Sequence, residues 1–435
     1  MEEGLSIAAE IGQRGFTTIV APGGVVTLFV IVAISYVDRI NISVLITDHD
    51  FLSHIGLTPD DRTRQGLLAT AFMVGYGVSS FVLTPFCAAL FGVRRSLFAG
   101  LLLWGVVTFL SPAMNSYGLL LASRILLGVS EGPLFSLAGS YIKAHFESRE
   151  NGKPNSLVNM GTGLGLAVGY PFVGYLVVGH NWETSFHVLG LINVLLGVPL
   201  VWAFVRMPKV ETGMPKPQSV GEAVGQVGQI VRGAMHTRYL WLITILTAAF
   251  LSYLWGSSNW LPAYLKESRG FSMREMGWLA SLPQYASVAA VFVGGMIIDR
   301  IARRQVPLIF VFGSLGVAIA VWLAIHMEDR YAAAYCLIAA NFCWGLMSPA
   351  IPSTVQHCAR PEHVASAYGV VNGAGSLVAG FMPAIMGAVI GALSARGGVA
   401  AGFFAGFAAL IGTQVIVMLC GIVLWVRERG EGSAA

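Results

Sequence analysis

Charged residues are scarce in this chain, and their scarcity excludes a soluble protein. Only 11% of the 435 residues are charged, whereas 55% are hydrophobic and the mean hydropathy is +0.71. A soluble domain usually carries about 25% charged residues, because side chains that face water are mostly polar. This chain has too few polar side chains to cover a water-facing surface. The composition therefore indicates a protein that crosses a membrane many times.

Cysteine pairs, phosphate-binding motifs and a cleavable signal are also lacking. The five cysteines form no Cys-x-x-Cys spacing, and no His/Cys cluster has the spacing of metal ligands. No Gly-x-x-x-x-Gly-Lys-Ser/Thr sequence is present, which argues against a nucleotide-driven pump. The N-terminal sequence MEEGLSIAAEIGQRGF is acidic where a signal peptide is basic, so we expect the first spanning helix to act as the anchor. We expect no enzyme activity, no metal and no cofactor.

Long apolar runs are abundant, and a run of about 20 residues is enough for a helix to cross the hydrocarbon core. The chain contains twelve such runs. The predicted spans lie near residues 25–46, 66–88, 94–112, 117–143, 154–178, 185–205, 238–262, 275–298, 305–325, 332–356, 363–391 and 399–426.

The distribution of Lys and Arg predicts how these spans are oriented. If both termini are cytoplasmic, 17 of the 26 Lys and Arg residues fall in cytoplasmic segments and 7 in outer loops. The remaining two, Arg39 and Arg124, lie inside spans. Cytoplasmic loops of membrane proteins are enriched in these residues. We therefore expect a multi-pass protein of the bacterial inner (cytoplasmic) membrane with both termini cytoplasmic.

Two halves with similar features flank a polar linker. We predict an N-terminal half at 1–205, a central cytoplasmic linker at 206–238 and a C-terminal half at 239–435. Arg94–Arg95 and Arg303–Arg304 each follow the second span of a half, 209 residues apart, and glycine-rich spans surround Pro171 and Pro383, 212 residues apart. Similar offsets in independent features indicate an internal repeat. An all-α protein of twelve spans in two pseudo-symmetric six-helix halves is typical of the major facilitator fold, and hence of a secondary transporter.

Four charged residues lie well inside the predicted spans: Asp38 and Arg39 on span 1, Arg124 and Glu131 on span 4. Each such charge costs roughly 2.5–3.5 kcal/mol at the centre of a membrane helix, so a cavity or a partner is expected. A guanidinium can bind a carboxylate in bidentate fashion, and a carboxylate withdrawn from water binds a proton more readily. The four residues therefore favour movement of an organic anion with protons. The alternative is that a pair such as Asp38–Arg124 only locks two helices together.

Three motifs resemble those of the anion:cation symporter family within the major facilitator superfamily. Tyr36-Val-Asp38-Arg39-Ile-Asn-Ile-Ser is similar to the first-helix signature of that family. Arg124-Ile-Leu-Leu-Gly-Val-Ser-Glu131-Gly is similar to its fourth-helix signature, and WLPAYL at 260–265 resembles its WLPxYL. The family includes bacterial importers of hexonates, hexuronates and glucarate, as well as sialin and vesicular glutamate transporters. The resemblance extends over essentially the whole chain.

The resemblance also implies roles for individual residues. Arg39 would hold the substrate carboxylate, Asp38 and Glu131 would be the protonatable acids, and Arg124 would pair with one of these acids. Further substrate contacts would come from Tyr36, Tyr76 and Asn372. Independently of the resemblance, we expect three further residues to line the cavity: Tyr253 and Trp255 on span 7, and Ser348 on span 10.

The loops after the second span of each half are expected to gate the transporter. The gating candidates are Arg94, Arg95, Asp299 and Arg300. The first loop departs from the family pattern, because Ala89 and Leu90 replace an aspartate and an arginine. Span 10, with the sequence MSPAIP at 347–352, is poor in hydroxyl groups and leaves room for a less polar anion.

The sequence thus predicts a symporter that imports a small organic anion with protons by alternating access. The expected substrate is a sugar acid such as a hexonate, hexuronate or aldarate, carried by a monomer in the lipid bilayer without any nucleic-acid partner. A less polar, for example aromatic, carboxylate and proton-driven efflux of a metabolite or drug remain as alternatives. A membrane receptor is a further alternative, although neither terminus carries a large soluble extension.

Overall fold

A computed structural model describes residues 2–87, 91–146, 152–207, 220–359 and 364–432, and these residues form helices with no strand among them. Residues 88–90, including Ala89 and Leu90, lie outside the described part of the chain. The α-helices are α1 Glu2–Leu45, α2 His49–His54, α3 Arg62–Phe86, α4 Gly92–Leu110, α5 Tyr117–Glu131, α6 Leu134–His145, α7 Gly152–Gly179, α8 Trp182–Ile192, α9 Val198–Phe204, α10 Val220–Ala234, α11 Leu240–Ala263, α12 Met273–Arg300, α13 Val306–His326, α14 Arg330–Met347, α15 Ala350–Cys358, α16 Val364–Ala379 and α17 Met382–Gly432.

The described residues contain ten helical segments that are long and apolar enough to cross a membrane. The longest segment, Ala367–Arg429, includes non-helical Gly398 (φ 83°), so it comprises two crossings joined at a bend. Helix α3, with 25 residues, is long enough for a further crossing. Twelve crossings result, which confirms the predicted fold class.

Two of the predicted spans are interrupted at proline. Span 4 consists of α5 and α6, which meet at Gly132 and Pro133, and span 10 consists of α14 and α15, which meet at Ser348 and Pro349. Proline has no N–H group for the helix ladder, and its ring clashes with the preceding turn. Because the interruptions occupy matching positions of the two halves, they extend the repeat seen in the sequence.

Close backbone contact brings α3 and α5 together. A Cβ atom at Gly128 of α5 would lie 2.7 Å from the backbone nitrogen of Tyr76, and one at Gly132 would lie 2.7 Å from that of Ser80. Small residues permit this approach between membrane helices. The contact places Tyr76 beside the part of α5 that carries Glu131. The first half is further built on contacts of α1 with α7 and of α4 with α8.

The halves meet mainly along four helix pairs, which are α7 with α12, α3 with α17, α1 with α11 and α3 with α16. The linker contains α10, and α10 packs on α16 and α3. Residues 208–219 of the linker lie outside the described residues, and the exact domain bounds stay a prediction.

Candidate functional site

Arg39 of α1 and Glu131 of α5 form a buried ion pair. Arg39 Nε donates to Glu131 Oε2 at 2.8 Å, and Arg39 Nη2 lies 2.6 Å from the same oxygen. The side chains are 4% and 0% exposed. A lone charge is very unfavourable when buried, and here the charges of the guanidinium and the carboxylate compensate one another. The cation that was expected to bind the substrate is therefore occupied by a carboxylate in this conformation.

Aromatic rings surround the Arg39 guanidinium. Its carbon lies 4.3 Å from the ring centroid of Tyr36 and 4.6 Å from that of Tyr76. Phe72 and Trp255 complete the set at 5.0 and 5.7 Å. These cation–π contacts favour the charge and exclude water from it. Because Trp255 belongs to α11, the second half also contributes to the site.

Phe72 was not predicted as a site residue, because a phenylalanine in an apolar run looks like any core residue. It lies one turn before Tyr76 on α3, and the two rings stack with centroids 6.1 Å apart. That helical spacing was the only signal that could have identified it.

Asp38 interacts with a different set of helices from its neighbour Arg39, because adjacent residues diverge by about 100° on a helix. Its Oδ2 accepts hydrogen bonds from Trp104 Nε1 at 2.5 Å and from Asn193 Nδ2 at 2.7 Å. All three residues are buried. Asn193 begins a π-helical segment, Asn193–Gly197, and such segments are frequent at functional sites. The sequence offered a signal for it, since Asn193 is the only polar residue between positions 189 and 198.

Arg124 forms no salt bridge with a described residue in this conformation, so its expected pairing with Asp38 or Glu131 stays a prediction. Glu131 is paired with Arg39, and Asp38 accepts hydrogen bonds from two neutral donors. The Arg124 guanidinium instead lies 5.6 Å from the ring centroid of Phe72. It interacts electrostatically with both acids, so the four charges still form one cluster.

The expected substrate contacts of the second half lie apart from this cluster. Tyr253 is buried, and its hydroxyl accepts a hydrogen bond from Asn341 Nδ2 at 3.3 Å. Ser348 is half-buried at the break between α14 and α15, and Asn372 is exposed on α16. None of these three described residues hydrogen-bonds to Arg39, so their substrate-binding roles stay predictions.

The predicted gating residues form no latch with any described residue of the other half in this conformation. Arg94 donates to the backbone oxygen of Trp202 within its own half, and its guanidinium carbon lies 4.1 Å from the Trp202 ring centroid. Arg95, Asp299 and Arg300 are exposed. A latch that includes them would require another conformation.

The halves are instead joined at the opposite end of the bundle. Arg62, at the start of α3, forms a salt bridge with Glu267, which follows α11. Arg62 Nη1 donates to Glu267 Oε1 at 3.1 Å, and the neighbouring Lys266 Nζ donates to the backbone oxygen of Thr47 at 2.5 Å. We call this region, which includes Arg62, Lys266 and Glu267, the sealed end. No sequence pattern indicated these pairings, since their members are more than 200 positions apart.

Further hydrogen bonds extend from the sealed end towards the middle of the membrane. The Tyr170 hydroxyl donates to the backbone oxygen of Ser258 at 2.8 Å, and Ser43 Oγ donates to Asn259 Oδ1 at 3.4 Å. Each of these bonds joins the first half to the second. The sealed end is therefore closed by several independent contacts.

Asp61 precedes α3 at the sealed end, outside the spanning helices. Its carboxylate accepts hydrogen bonds from the backbone N–H and the hydroxyl of Thr58, at 2.8 and 2.9 Å. These bonds favour the charged form and hold the pKa of Asp61 below its usual value. The turn thereby fixes the chain where it enters α3 towards Arg62.

The chain is similar to several curated bacterial transporters. A probable sulfoacetate transporter of Cupriavidus necator is 31% identical over 62% of this chain and 63% of its own length. A hexuronate transporter of Bacillus subtilis is 27% identical over 64% of each chain, and a probable L-galactonate transporter of Escherichia coli is 23% identical over 83% of this chain and 81% of its own. The matched part of this chain thus covers less than two thirds of the length of the sulfoacetate transporter and of the hexuronate transporter.

Solved structures share the fold over nearly the whole chain. A bacterial homolog of the human lysosomal transporter Spinster covers 94% of this chain and 97% of its own, with a TM-score of 0.73 and 17% identity. A D-xylose–proton symporter covers 93% of this chain and 97% of its own, with a TM-score of 0.72 and 14% identity. At these identities the likeness concerns the fold alone.

A family model matches residues 28–383, which is well over half of the chain. The family and the curated relatives are transporters and not enzymes, in agreement with the expectation from the sequence. The names of the relatives also confirm the resemblance to organic-anion transporters that the sequence motifs indicated. With twelve crossings, two similar halves and this match, the chain belongs to the Major Facilitator Superfamily.

Proposed function

We propose that this protein imports a small organic anion together with protons by alternating access, and that the anion is a sugar acid or a related small acid. The observation that carries the proposal is the buried Arg39–Glu131 pair, surrounded by rings from both halves. Names of the curated relatives support the substrate class, since they refer to hexuronate, galactonate and sulfoacetate.

Exchange at Arg39 would couple the anion to the proton. The Arg39 guanidinium can form a strong bidentate interaction with only one carboxylate at a time. Protonation of Glu131 removes its charge and releases Arg39, which can then bind the substrate carboxylate. When the substrate leaves, the return of the Glu131 proton to water restores the ion pair. Asp38 and Arg124 would adjust this exchange, because both interact electrostatically with Glu131.

Alternating access would use the sealed end as one gate. If the termini are cytoplasmic, the sealed end faces away from the cytoplasm, and the conformation described is closed to the outside. Opening outwards then requires the Arg62–Glu267 and Lys266–Thr47 contacts to break. Arg94, Arg95, Asp299 and Arg300 would form the second gate at the other end. The proposed location is the bacterial inner membrane, and the proposed unit is a monomer.

The deciding experiment measures uptake into proteoliposomes under an imposed pH gradient. The labelled acids are glucuronate, L-galactonate, D-glucarate and sulfoacetate, each tested with and without the gradient. We expect the gradient to drive at least one acid to a higher concentration inside than outside. If no acid enters under either condition, the proposal is wrong.

A less polar carboxylate is the second candidate for the substrate. Four aromatic rings lie within 5.7 Å of the Arg39 guanidinium, and they would also suit an aromatic body. Benzoate in the same assay tests this candidate. Uptake of benzoate without uptake of the four polar acids would favour it.

A further inference from the structure

The indole N–H group of Trp255 has no hydrogen-bond acceptor, unlike three other buried indole N–H groups among the described residues. Trp104 Nε1 donates to Asp38, and the indoles of α11 and α14 donate to backbone oxygens, Trp260 to Pro383 and Trp344 to Phe250, both at 2.9 Å. Trp255 Nε1 is also shielded from solvent, yet it has no acceptor among the described residues. Buried polar groups are nearly always hydrogen-bonded, so this N–H group requires an explanation.

Trp255 lies at the Arg39 site. Its ring stacks on Tyr36 with centroids 6.2 Å apart and an interplanar angle of 26°, and its centroid is 5.7 Å from the Arg39 guanidinium. The free N–H group is thus close to the cation that is proposed to bind the substrate. It is also supplied by the second half, whereas Arg39 and Glu131 belong to the first.

A second free donor follows one turn further along α11. Asn259 is 3% exposed, and its Oδ1 accepts a hydrogen bond from Ser43, whereas its Nδ2 has no partner among the residues described. On the facing helix, Ser43 lies one turn beyond Arg39. The contacts Tyr36–Trp255 and Ser43–Asn259 therefore show that α1 and α11 run side by side in the same direction. Four residues of helix rise by about 6 Å.

We propose that Trp255 Nε1 and Asn259 Nδ2 form a subsite for the end of the substrate that is remote from its carboxylate. With the carboxylate on Arg39, an oxygen at the other end of a small acid would reach these donors. The subsite therefore selects an acid that carries a distant hydrogen-bond acceptor, such as a hydroxyl or a second acid group. This inference rests on the proposed function, and it favours the polar acids over an aromatic carboxylate.

The test compares initial uptake rates of three variants in proteoliposomes, using whichever of the four polar acids the wild type transports. Trp255→Phe keeps the ring but removes the N–H group, and Asn259→Leu removes the second donor at similar volume. We expect each to raise KM by roughly 10-fold, the effect of one lost buried hydrogen bond, with the maximal rate changed little. Trp344→Phe is the control, because its N–H group already has an acceptor inside its own half, and its KM should stay unchanged.

The possible outcomes separate this inference from the proposed function. Uptake by the wild type with an unchanged KM in both Trp255→Phe and Asn259→Leu overturns the subsite and leaves the proposed function standing. If Trp255→Phe fails to fold, as judged by size-exclusion chromatography, Asn259→Leu alone decides. Uptake of benzoate without the polar acids, or no uptake at all by the wild type, overturns the subsite together with the sugar-acid proposal.

Discussion

Two Arg–Glu pairs in this protein have the same chemistry but different places in the fold. Arg39–Glu131 joins α1 and α5 inside the first half, and both side chains are almost fully buried, at 4% and 0% exposed. Arg62–Glu267 joins the first half to the second, and Glu267 is 21% exposed. In the proposed alternating-access cycle, the first pair would move as one body when the halves rotate against each other, whereas the second would have to break.

Their positions therefore determine what each pair can do. A pair inside one half can persist through the transport cycle and exchange a proton or an anion without any large movement. A pair between the halves contributes to one conformation only, and so it shifts the balance between conformations. Breaking a fully buried ion pair typically costs about 3–5 kcal/mol. Because Glu267 is partly exposed, breaking the Arg62–Glu267 pair should cost less.

The largest expected effect comes from removing the cation of the inner pair. Arg39→Ala leaves Glu131 buried without a partner and removes the group proposed to hold the substrate, so uptake should fall by at least about 100-fold. The fall is measured as the uptake rate, in proteoliposomes, of an acid that the wild type transports. Arg39→Lys, which keeps the charge but not the bidentate geometry, should retain a small part of the activity. Wild-type uptake by Arg39→Ala would contradict the proposed role.

Glu131→Gln should separate exchange from accumulation. The neutral side chain imitates the protonated acid, so the variant should still exchange labelled for unlabelled anion across the membrane. It should lose accumulation driven by the pH gradient, a change from several-fold accumulation to none. Both are measured in the same proteoliposomes.

Asp38→Asn serves as the comparison for Glu131→Gln, because an amide oxygen can still accept hydrogen bonds from Trp104 and Asn193. If Glu131 carries the proton that is exchanged at Arg39, Asp38→Asn should retain some gradient-driven uptake. Unchanged accumulation in Glu131→Gln would refute its proposed role in coupling.

Breaking the outer pair should have a smaller effect, and on conformation instead of chemistry. Glu267→Gln weakens the sealed end and should shift the equilibrium towards its open form by roughly 10-fold, equivalent to about 1.4 kcal/mol. Spin labels at Ser53 and Glu328, both exposed and on different halves, would report this as a longer distance.

The matched control for the outer pair reverses its charges. Arg62→Glu combined with Glu267→Arg should restore much of the shorter distance, whereas either change alone should not. The same distance in Glu267→Gln and wild type would show that this pair does not hold the sealed end.

The smallest effect is expected at Asp61, which fixes the turn before Arg62 without crossing between the halves. Because the pKa of Asp61 is lowered on folding, its carboxylate stabilises the fold above the unfolded-state pKa, and this contribution is lost as pH falls through the folded-state pKa. Asp61→Ala should lower the stability by less than about 1 kcal/mol at pH 7, given the exposure of the turn. Thermal unfolding in detergent should show that the difference from wild type shrinks towards pH 3.

The sequence allowed the fold and the charged cluster to be predicted, but not how its members pair. Hydropathy and the repeat depend on local composition, so the twelve spans followed from the sequence. The pairing of Arg39 with Glu131, and not of Arg124 with an acid, depends on how α1 is rotated against α5, which spacing alone does not encode. The Arg62–Glu267 pair joins residues 205 positions apart and lies at helix ends, where charges are common and carry no signal.

The bond from Lys266 to the backbone oxygen of Thr47 has a genetic consequence. Since every residue type carries a backbone oxygen, substitutions at position 47 leave that acceptor in place, and only a change at position 266 removes the donor. The Tyr170–Ser258 contact has the same asymmetry. A random mutagenesis screen for transporters that open too readily should therefore recover changes at 170 and 266 far more often than at 258 and 47.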